Sequence, residues 1–353
     1  MEVDVAVVGG GPAGAVAARC LASWGRRVAV FERSRYSEPR YGETLPPETM
    51  PLLDALGLRE ELAHVEAAES PGTVSSWGGD PVETDFVRNV HGAGLHVDRS
   101  GFDRALARAA EDAGASLSTG VTVTDVAVVG GAWRLTTSRG PATARVVVDA
   151  AGRLGHVIPR RRTAYADKLL AVTALLRHRR ARPSDLRTYV ETTPRGWWYS
   201  APVGASRTVA MFFTDGVEHR RGISPPGELD GAPLTRARMA GAEVVDERVL
   251  PVRSGLRGPV AGPGWVAVGD SAASYDPVSG AGIHKALGQG ALAAAAVHAA
   301  LEGDSAAQLL YEERVRADFE RYAAERHLVY SAERRWAGAG FWERRTRAGG
   351  RTA

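Results

Sequence analysis

The sequence predicts an α/β chain: a Rossmann-like domain carrying an inserted, mostly antiparallel β-sheet domain, with helices at the C-terminus. Three observations predict it. Residues 5–8 read as a buried strand, Gly9-Gly10-Gly11-Pro12-Ala13-Gly14 as a turn into a helix, and residues 28–31 as a second strand ending at Glu32. Short apolar runs at 146–148 and 266–268 repeat the buried-strand pattern far downstream. Between them lie short extended pieces punctuated by Gly and Asp, the pattern of a separate sheet.

In the opening unit, Gly9 permits the tight turn, Gly11 lets backbone approach a pyrophosphate, and Gly14 lets the helix pack closely on the strand. The N–H groups at the helix start face an anion, and Glu32 is placed to accept hydrogen bonds from a ribose. A helix is expected from Pro46-Pro47-Glu48 to Gly57. Residues 72–97 read as strands of the second sheet. Phe102, Ala105, Leu106 and Ala109 recur at helical spacing up to Gly114, and residues 121–129 and 133–137 read as strands around Gly130-Gly131. Residues 168–252 read as strands and turns, 282–301 as a helix and 306–336 as a long amphipathic helical region. The expected division is 1–71, 98–160 and 255–304 for the nucleotide-binding domain, 72–97 and 161–254 for a substrate domain, 305–343 for C-terminal helices and 344–353 for a flexible tail.

Composition sets bounds. A chain of 353 residues exceeds one compact mononucleotide domain, and 44% apolar with 24% charged residues is globular. The net charge of +3 is slight, arginine dominates the basic side, and Lys168 and Lys285 are the sole lysines. No basic run interleaved with aromatics suggests nucleic acid, and Arg344-Arg345-Thr346-Arg347 reads as a solvated end. Cys20 is the single cysteine, so no intrachain disulfide forms, and a packed thiol is expected. The immediate first strand leads to an expected cytoplasmic location. The apolar stretch 291–301 is too short to span a membrane. The nine histidines show no metal-ligand spacing, and no Gly-x-Ser-x-Gly elbow appears.

Two further segments carry chemistry. In Trp265-Val266-Ala267-Val268-Gly269-Asp270 a strand delivers a carboxylate to a helix start. Asp270 is placed either to bind the ribityl chain of a flavin, with Gly269 admitting close approach, or to serve as a helix cap. In Asp276-Pro277-Val278-Ser279-Gly280-Ala281-Gly282, Pro277 stiffens the turn, and Gly280, Ala281 and Gly282 present N–H groups that face a reduced isoalloxazine or simply cap the helix.

The glycine turn, Val148-Asp149-Ala150-Ala151-Gly152-Arg153, and Gly269-Asp270 with Asp276-Pro277 together resemble the FAD monooxygenases of the p-hydroxybenzoate hydroxylase class. Val97-Asp98-Arg99 with Phe102-Asp103 and Leu106 fits the same resemblance. Tyr41-Gly42-Glu43-Thr44-Leu45-Pro46-Pro47 and Gly196-Trp197-Trp198-Tyr199-Ser200-Ala201-Pro202 resemble a branch that includes flavin-dependent halogenases, geranylgeranyl reductases and quinone-cofactor-maturation flavoproteins, and Ser76-Trp77-Gly78 inclines toward the last.

The resemblance implies FAD, held by Gly9, Gly11, Pro12, Ala13, Gly14, Glu32, Arg33, Arg40, Arg99, Val123, Gly269, Asp270, Pro277, Gly280, Ala281 and Gly282. Arg40 and Arg99 are candidates to position the cofactor, with solvated arginines as the alternative. Glu43 is a candidate catalytic residue or a helix-entry acid, and His284 is the candidate proton handler ahead of His91 and His96. Strand alternation forbids Trp197, Trp198 and Tyr199 from sharing one face; Trp198 and Tyr199 are named for the substrate pocket, Trp198 first.

Two departures bear on function. Ala151 stands where many of these hydroxylases carry Asp, so electrons are expected from NADH or NADPH either directly or through a separate flavin reductase. The lysine that the halogenases place ahead of the substrate site has no counterpart before Lys168. The leading expectation is a monooxygenase that uses molecular oxygen, through a flavin C4a-hydroperoxide, to hydroxylate an electron-rich indole or phenol. The substrate is a small aromatic molecule or a Trp or Tyr residue of a peptide. A halogenase or geranylgeranyl-reductase-like oxidoreductase is the second expectation, and a nonenzymatic flavin-binding partner a third.

Overall fold

The computed structural model describes residues 1–155, 157–179, 185–220, 225–304 and 306–346. At its centre lies an eight-stranded sheet. Its parallel core places Glu2–Val8 between Val28–Glu32 and Gly140–Asp149, with Ser116–Thr119 and Trp265–Ala267 outside them. Val5, Val7, Val147 and Val148 have no exposure, as expected of a parallel sheet covered on both faces. The helix Pro12–Ser23 packs against the helices Arg99–Asp112 and Gly282–Leu301. The hairpin Val123–Val129 and Ala132–Thr137 extends the sheet antiparallel to Gly140–Asp149.

A seven-stranded sheet draws Gly72–Ser76 and Val82–Asp85 together with five strands between Leu169 and Pro251, and only Gly72–Ser76 runs parallel to its neighbour, Thr188–Thr193. One face carries Trp197, Met211 and Phe213 and packs on the C-terminal aromatics Tyr330, Phe341 and Trp342. The other carries Trp198, Ala210 and Phe212.

Three expectations need correction. Within 161–254 the helices Gly216–Arg220, Pro225–Glu228 and Pro233–Met239 stand beside the strands. The last is capped from afar, since the Glu191 carboxylate accepts from Leu234 N–H at 2.9 Å and Thr235 N–H at 2.7 Å. Gly94–Val97 leaves the inserted sheet and pairs instead with Thr44–Leu45 and Ala67–Ser70. The first residues of the expected tail belong to the helix Gly340–Thr346, where Arg344 donates to Asp215 at 2.8 Å and Arg345 is buried; residues 347–353 lie outside the described residues. Among the described residues, no helix is long and apolar enough to cross a membrane.

The helix Ala306–Ala332 ties the parts together. Tyr311 donates to the Ala267 carbonyl at 2.7 Å, and Tyr322 contacts Ser254 and accepts from Asp276 N–H. Arg326 donates to Asp276 at 2.9 Å and Asp167 at 2.8 Å, and Tyr330 donates to Asp276 at 3.0 Å. All three ionic groups are nearly sealed from solvent. Arg326→Met is therefore expected to lower unfolding free energy by about 3–5 kcal/mol, because two buried carboxylates lose their counterion. Chemical denaturation measures it, and a loss under about 1 kcal/mol would exclude this role.

Candidate functional site

A cavity of about 550 Å³ runs from the glycine turn to the seven-stranded sheet. At its first end, steric fit explains the three glycines. A Cβ on Gly9 would lie 2.2 Å from the Ala150 carbonyl oxygen, and one on Gly14 would lie 2.0 Å from that of Gly9. A Cβ on Gly11 would meet nothing within 4 Å. Gly9 and Gly14 thus serve packing, whereas Gly11 leaves space along a cavity wall that Pro12, Ala13 and Gly14 continue. Gly11 caps the helix without a side-chain hydrogen bond, and the first turn holds no acid. Open N–H groups at a helix start beside empty space fit the diphosphate of a dinucleotide.

Gly269, Asp270, Pro277, Gly280 and Gly282 form another part of the wall. Asp270 receives Lys285 Nζ at 2.7 Å and Arg153 Nη2 at 3.0 Å, and about 32% of its side chain stays exposed. Burial opposes its ionisation, but Lys285 and Arg153 outweigh that and hold its carboxyl well below the usual carboxylate range. An ionised, fixed acceptor facing the cavity fits a polyol chain such as ribityl. FAD therefore fits this wall, with diphosphate at residues 11–14 and flavin toward Asp270 and residues 277–282.

The remaining candidates separate. Arg33, Arg40 and Arg99 line the cavity. Arg40 and Arg99 both pair with Asp103, which is 1% exposed, and Arg99 also donates to the Tyr41 and Gly42 carbonyls at 2.9 Å. Glu32 is buried behind the turn: it accepts from Gly10 N–H at 2.7 Å and Ser34 N–H at 2.9 Å, so it braces the glycine turn and is not a cavity wall. Val123, in the hairpin of the large sheet, packs against the core and is also not a wall. Ala281 lies off the wall, its N–H donating to Ser279 at 3.3 Å. His284 is displaced as a cavity proton handler: Gly282, Ile283 and Ala286 occupy the helix face toward the cavity, and the charged neighbour of His284 is Glu48.

The far wall is the sheet, where Thr173, Tyr199, Met211 and Phe213 meet the cavity. Trp198 points through the opposite face against Phe212, 5.1 Å between ring centroids, which corrects its assignment to the pocket. Met211 and Phe213 escaped the sequence reading. Alternation within 208–213 signals a strand, but which face meets the cavity depends on its pairing, Tyr199 opposite Met211 and Trp197 opposite Phe213.

Behind Tyr199 lies a buried polar chain. Its hydroxyl is 2.5 Å from Thr44 Oγ1, which is 3.0 Å from His96 Nδ1, and His96 Nε2 is 3.0 Å from the Leu186 carbonyl oxygen. Burial pushes His96 down to about 4. Glu43, 1% exposed, accepts from Gly42 N–H at 3.0 Å through Oε2, while Oε1 has no partner. Among the described residues, no group of three or more His, Cys, Asp or Glu is arranged for a metal.

Two outcomes follow. Gly11→Val is expected to keep the melting temperature of the apoprotein and abolish FAD retention, whereas Gly14→Ala destabilises the fold by about 1–3 kcal/mol through overpacking; equal FAD retention in Gly11→Val and wild type would exclude the diphosphate assignment. For His96, the unfolded chain takes up the proton first as pH falls. Stability is then fully present above about 6.5 and declines toward 4, by about 3 kcal/mol for this residue. Denaturation across that range should show a shallower decline in His96→Gln, and an unchanged slope would count against burial of the neutral ring.

Residues 2–161 match the model of an FAD binding domain. Over 347 residues the chain is 25% identical to a tryptophan 2-halogenase of Chondromyces crocatus, covering 91% of this chain and 66% of the halogenase, just under two thirds of its length. It superposes on the flavin-dependent halogenase CmlS with a TM-score of 0.85 at 26% identity, over 99% of this chain and 68% of CmlS. It superposes on the peptidyl tryptophan dihydroxylase QhpG with a TM-score of 0.78 at 25% identity, over 99% and 80% of the two chains. These likenesses reach the wider superfamily and do not single out the p-hydroxybenzoate hydroxylase class. Residues 2–161 thus carry an FAD binding domain, and along most of its length the chain is similar to flavin-dependent enzymes.

Proposed function

We propose that this chain uses oxygen activated on FAD to substitute one position of an electron-rich aromatic ring, with halogenation as the first reading. The observation that carries the reaction class is the continuous cavity joining the dinucleotide cradle to the neutral wall of Thr173, Tyr199, Met211 and Phe213. FAD supplies, when bound, the two electrons that activate oxygen. The protein's part is then to hold and enclose. Backbone N–H groups of Gly11, Ala13 and Gly14 take the diphosphate, Asp270 takes the polyol, and the start of Gly282–Leu301 faces charge gained on reduction. Tyr199, Met211 and Phe213 pack the ring and exclude water.

The tryptophan 2-halogenase and CmlS support halogen as the group transferred. Hydroxylation is the second reading, and one observation favours it: neither lysine is a cavity wall. Lys285 is buried on Asp270 and the Ala273 carbonyl, and Lys168 is also absent from the lining. The likeness to QhpG, named as a peptidyl tryptophan dihydroxylase, extends this reading to a peptide-borne indole. Electrons come from NADH or NADPH, with a separate flavin reductase as the favoured route.

The deciding experiment supplies FAD-loaded protein with NADH, a flavin reductase, oxygen, bromide and a panel of indoles, phenols and tryptophan peptides, read by mass spectrometry. Brominated product is expected on the first reading and hydroxylated product on the second. Oxygen consumption without a product beyond the reductase control, or no consumption, would exclude both.

A further inference from the structure

We propose that Tyr41 is the specificity-determining wall of the flavin cavity: it divides one groove along the seven-stranded sheet into two pockets and admits, on that side of the aromatic substrate, only a short substituent. The inference rests on the reading above, which packs the ring against Tyr199, Met211 and Phe213.

The register of the sheet makes the groove continuous. Residues two apart on a strand point to the same face and lie about 7 Å from each other. Pairing aligns Ala171 with Phe213, then Thr173 with Met211 and Tyr199, and these two rows floor the flavin cavity. The next row on the same face aligns Leu175 with Val209, and the one after it aligns Arg207 with Val203. Those rows floor a second pocket of about 230 Å³. Consecutive rows of one sheet face therefore serve two cavities, and the division falls between the second row and the third.

Arg40, Tyr41 and Arg99 line both cavities. Arg40 and Arg99 are drawn to Asp103, whereas Tyr41 crosses to the sheet. Its hydroxyl donates to Asp246 Oδ2 at 2.5 Å, and Asp246 lies opposite Leu175, in the third row. Tyr41 also packs on the apolar cluster that holds Met211 of the second row with Leu175 and Val209 of the third. It thus stands at the division, and it is fixed at both ends. Arg99 donates to the carbonyls of Tyr41 and Gly42, each at 2.9 Å. Arg248 donates to Asp246 at 2.9 Å and reaches back to Glu38 at 3.1 Å, which straps the segment carrying Tyr41 to the edge strand Glu243–Pro251.

Beyond this wall Leu175, Val203 and Val209 offer an apolar floor, so a hydrocarbon chain gains there once the phenol ring is removed. Glu43 lines the second pocket and not the flavin cavity, so the same wall separates it from the substrate ring.

Calorimetric binding of phenols carrying methyl to hexyl chains, at the meta or the para position, to FAD-loaded protein tests the wall without turnover. In the wild type, affinity should level off at short chains. In Tyr41→Ala it should keep rising in at least one series, by about fourfold per added methylene, while unsubstituted phenol binds both proteins alike and FAD retention is unchanged. If Tyr41→Ala does not fold, Asp246→Ala, which frees the hydroxyl, decides by a smaller rise in the same direction. The same chain-length dependence in wild type and variant, or an equal loss for every phenol, would overturn the wall. Failure of unsubstituted phenol to bind either protein would instead overturn the placement of the ring, and the wall with it.

Discussion

The guanidinium of Arg326 lies between two buried carboxylates, Asp276 and Asp167, and the geometry of the flavin end of the cavity follows from that arrangement. Asp276 also caps its own turn, its Oδ1 accepting from Val278 N–H at 3.0 Å. One side chain therefore fixes the turn Pro277–Ser279 locally and anchors it to the helix Ala306–Ala332 at long range. Burying these charges is worthwhile only if all are present, because removal of one leaves the others uncompensated. The start of the helix Gly282–Leu301 is consequently positioned by residues about 50 positions later in the chain.

That positioning matters because a second helix start opens into the same space. Pro12–Ser23 and Gly282–Leu301 pack closely through small residues, and a Cβ on Gly290 would lie 2.5 Å from the Ala13 carbonyl oxygen. Their N-termini reach different stretches of one cavity wall, so two positive helix ends act on one ligand. The arginines contribute less charge than their number suggests. Arg40 and Arg99 share the buried Asp103, which fixes their guanidinium groups in place and offsets much of their field. On the proposed reading, recognition of a diphosphate would then rest on backbone N–H groups and on the exposed Arg33.

These contacts differ in how far sequence reveals them. Gly9, Gly11 and Gly14 are legible because their demands are steric and confined to a short segment. Glu32 is legible as an acid ending a strand, yet its acceptors are taken by Gly10 and Ser34, a choice made by a turn whose conformation the sequence does not display. Strand alternation correctly separates Trp198 from its neighbours, but parity requires knowing which sheet face is covered. The helix Pro233–Met239 covers the Trp198 side, and Glu191 caps that helix from another strand. His284 fails for the same reason on a helix: its position beside a glycine turn is local, while the face it presents is set by packing.

The cavity is electrically asymmetric. Arg33, Arg40, Arg99 and Arg153 gather toward the dinucleotide end, with Asp270 held ionised between Arg153 and Lys285. At the sheet end the lining groups are Ala171, Thr173, Tyr199, Met211 and Phe213, and His96 behind them is a neutral ring. A charged substrate placed there would lose hydration without gaining a counterion, whereas an indole or phenol loses little and gains contact with Met211 and Phe213. Of the two hydroxyls on that wall, Thr173 donates to the Arg248 carbonyl at 3.2 Å, so on the proposed function Tyr199 is the group that would orient a neutral ring by hydrogen bonding, its own orientation set in turn by Thr44 and His96. On the proposed function, selectivity for an uncharged aromatic group would arise from where charge is withheld as much as from where it is supplied.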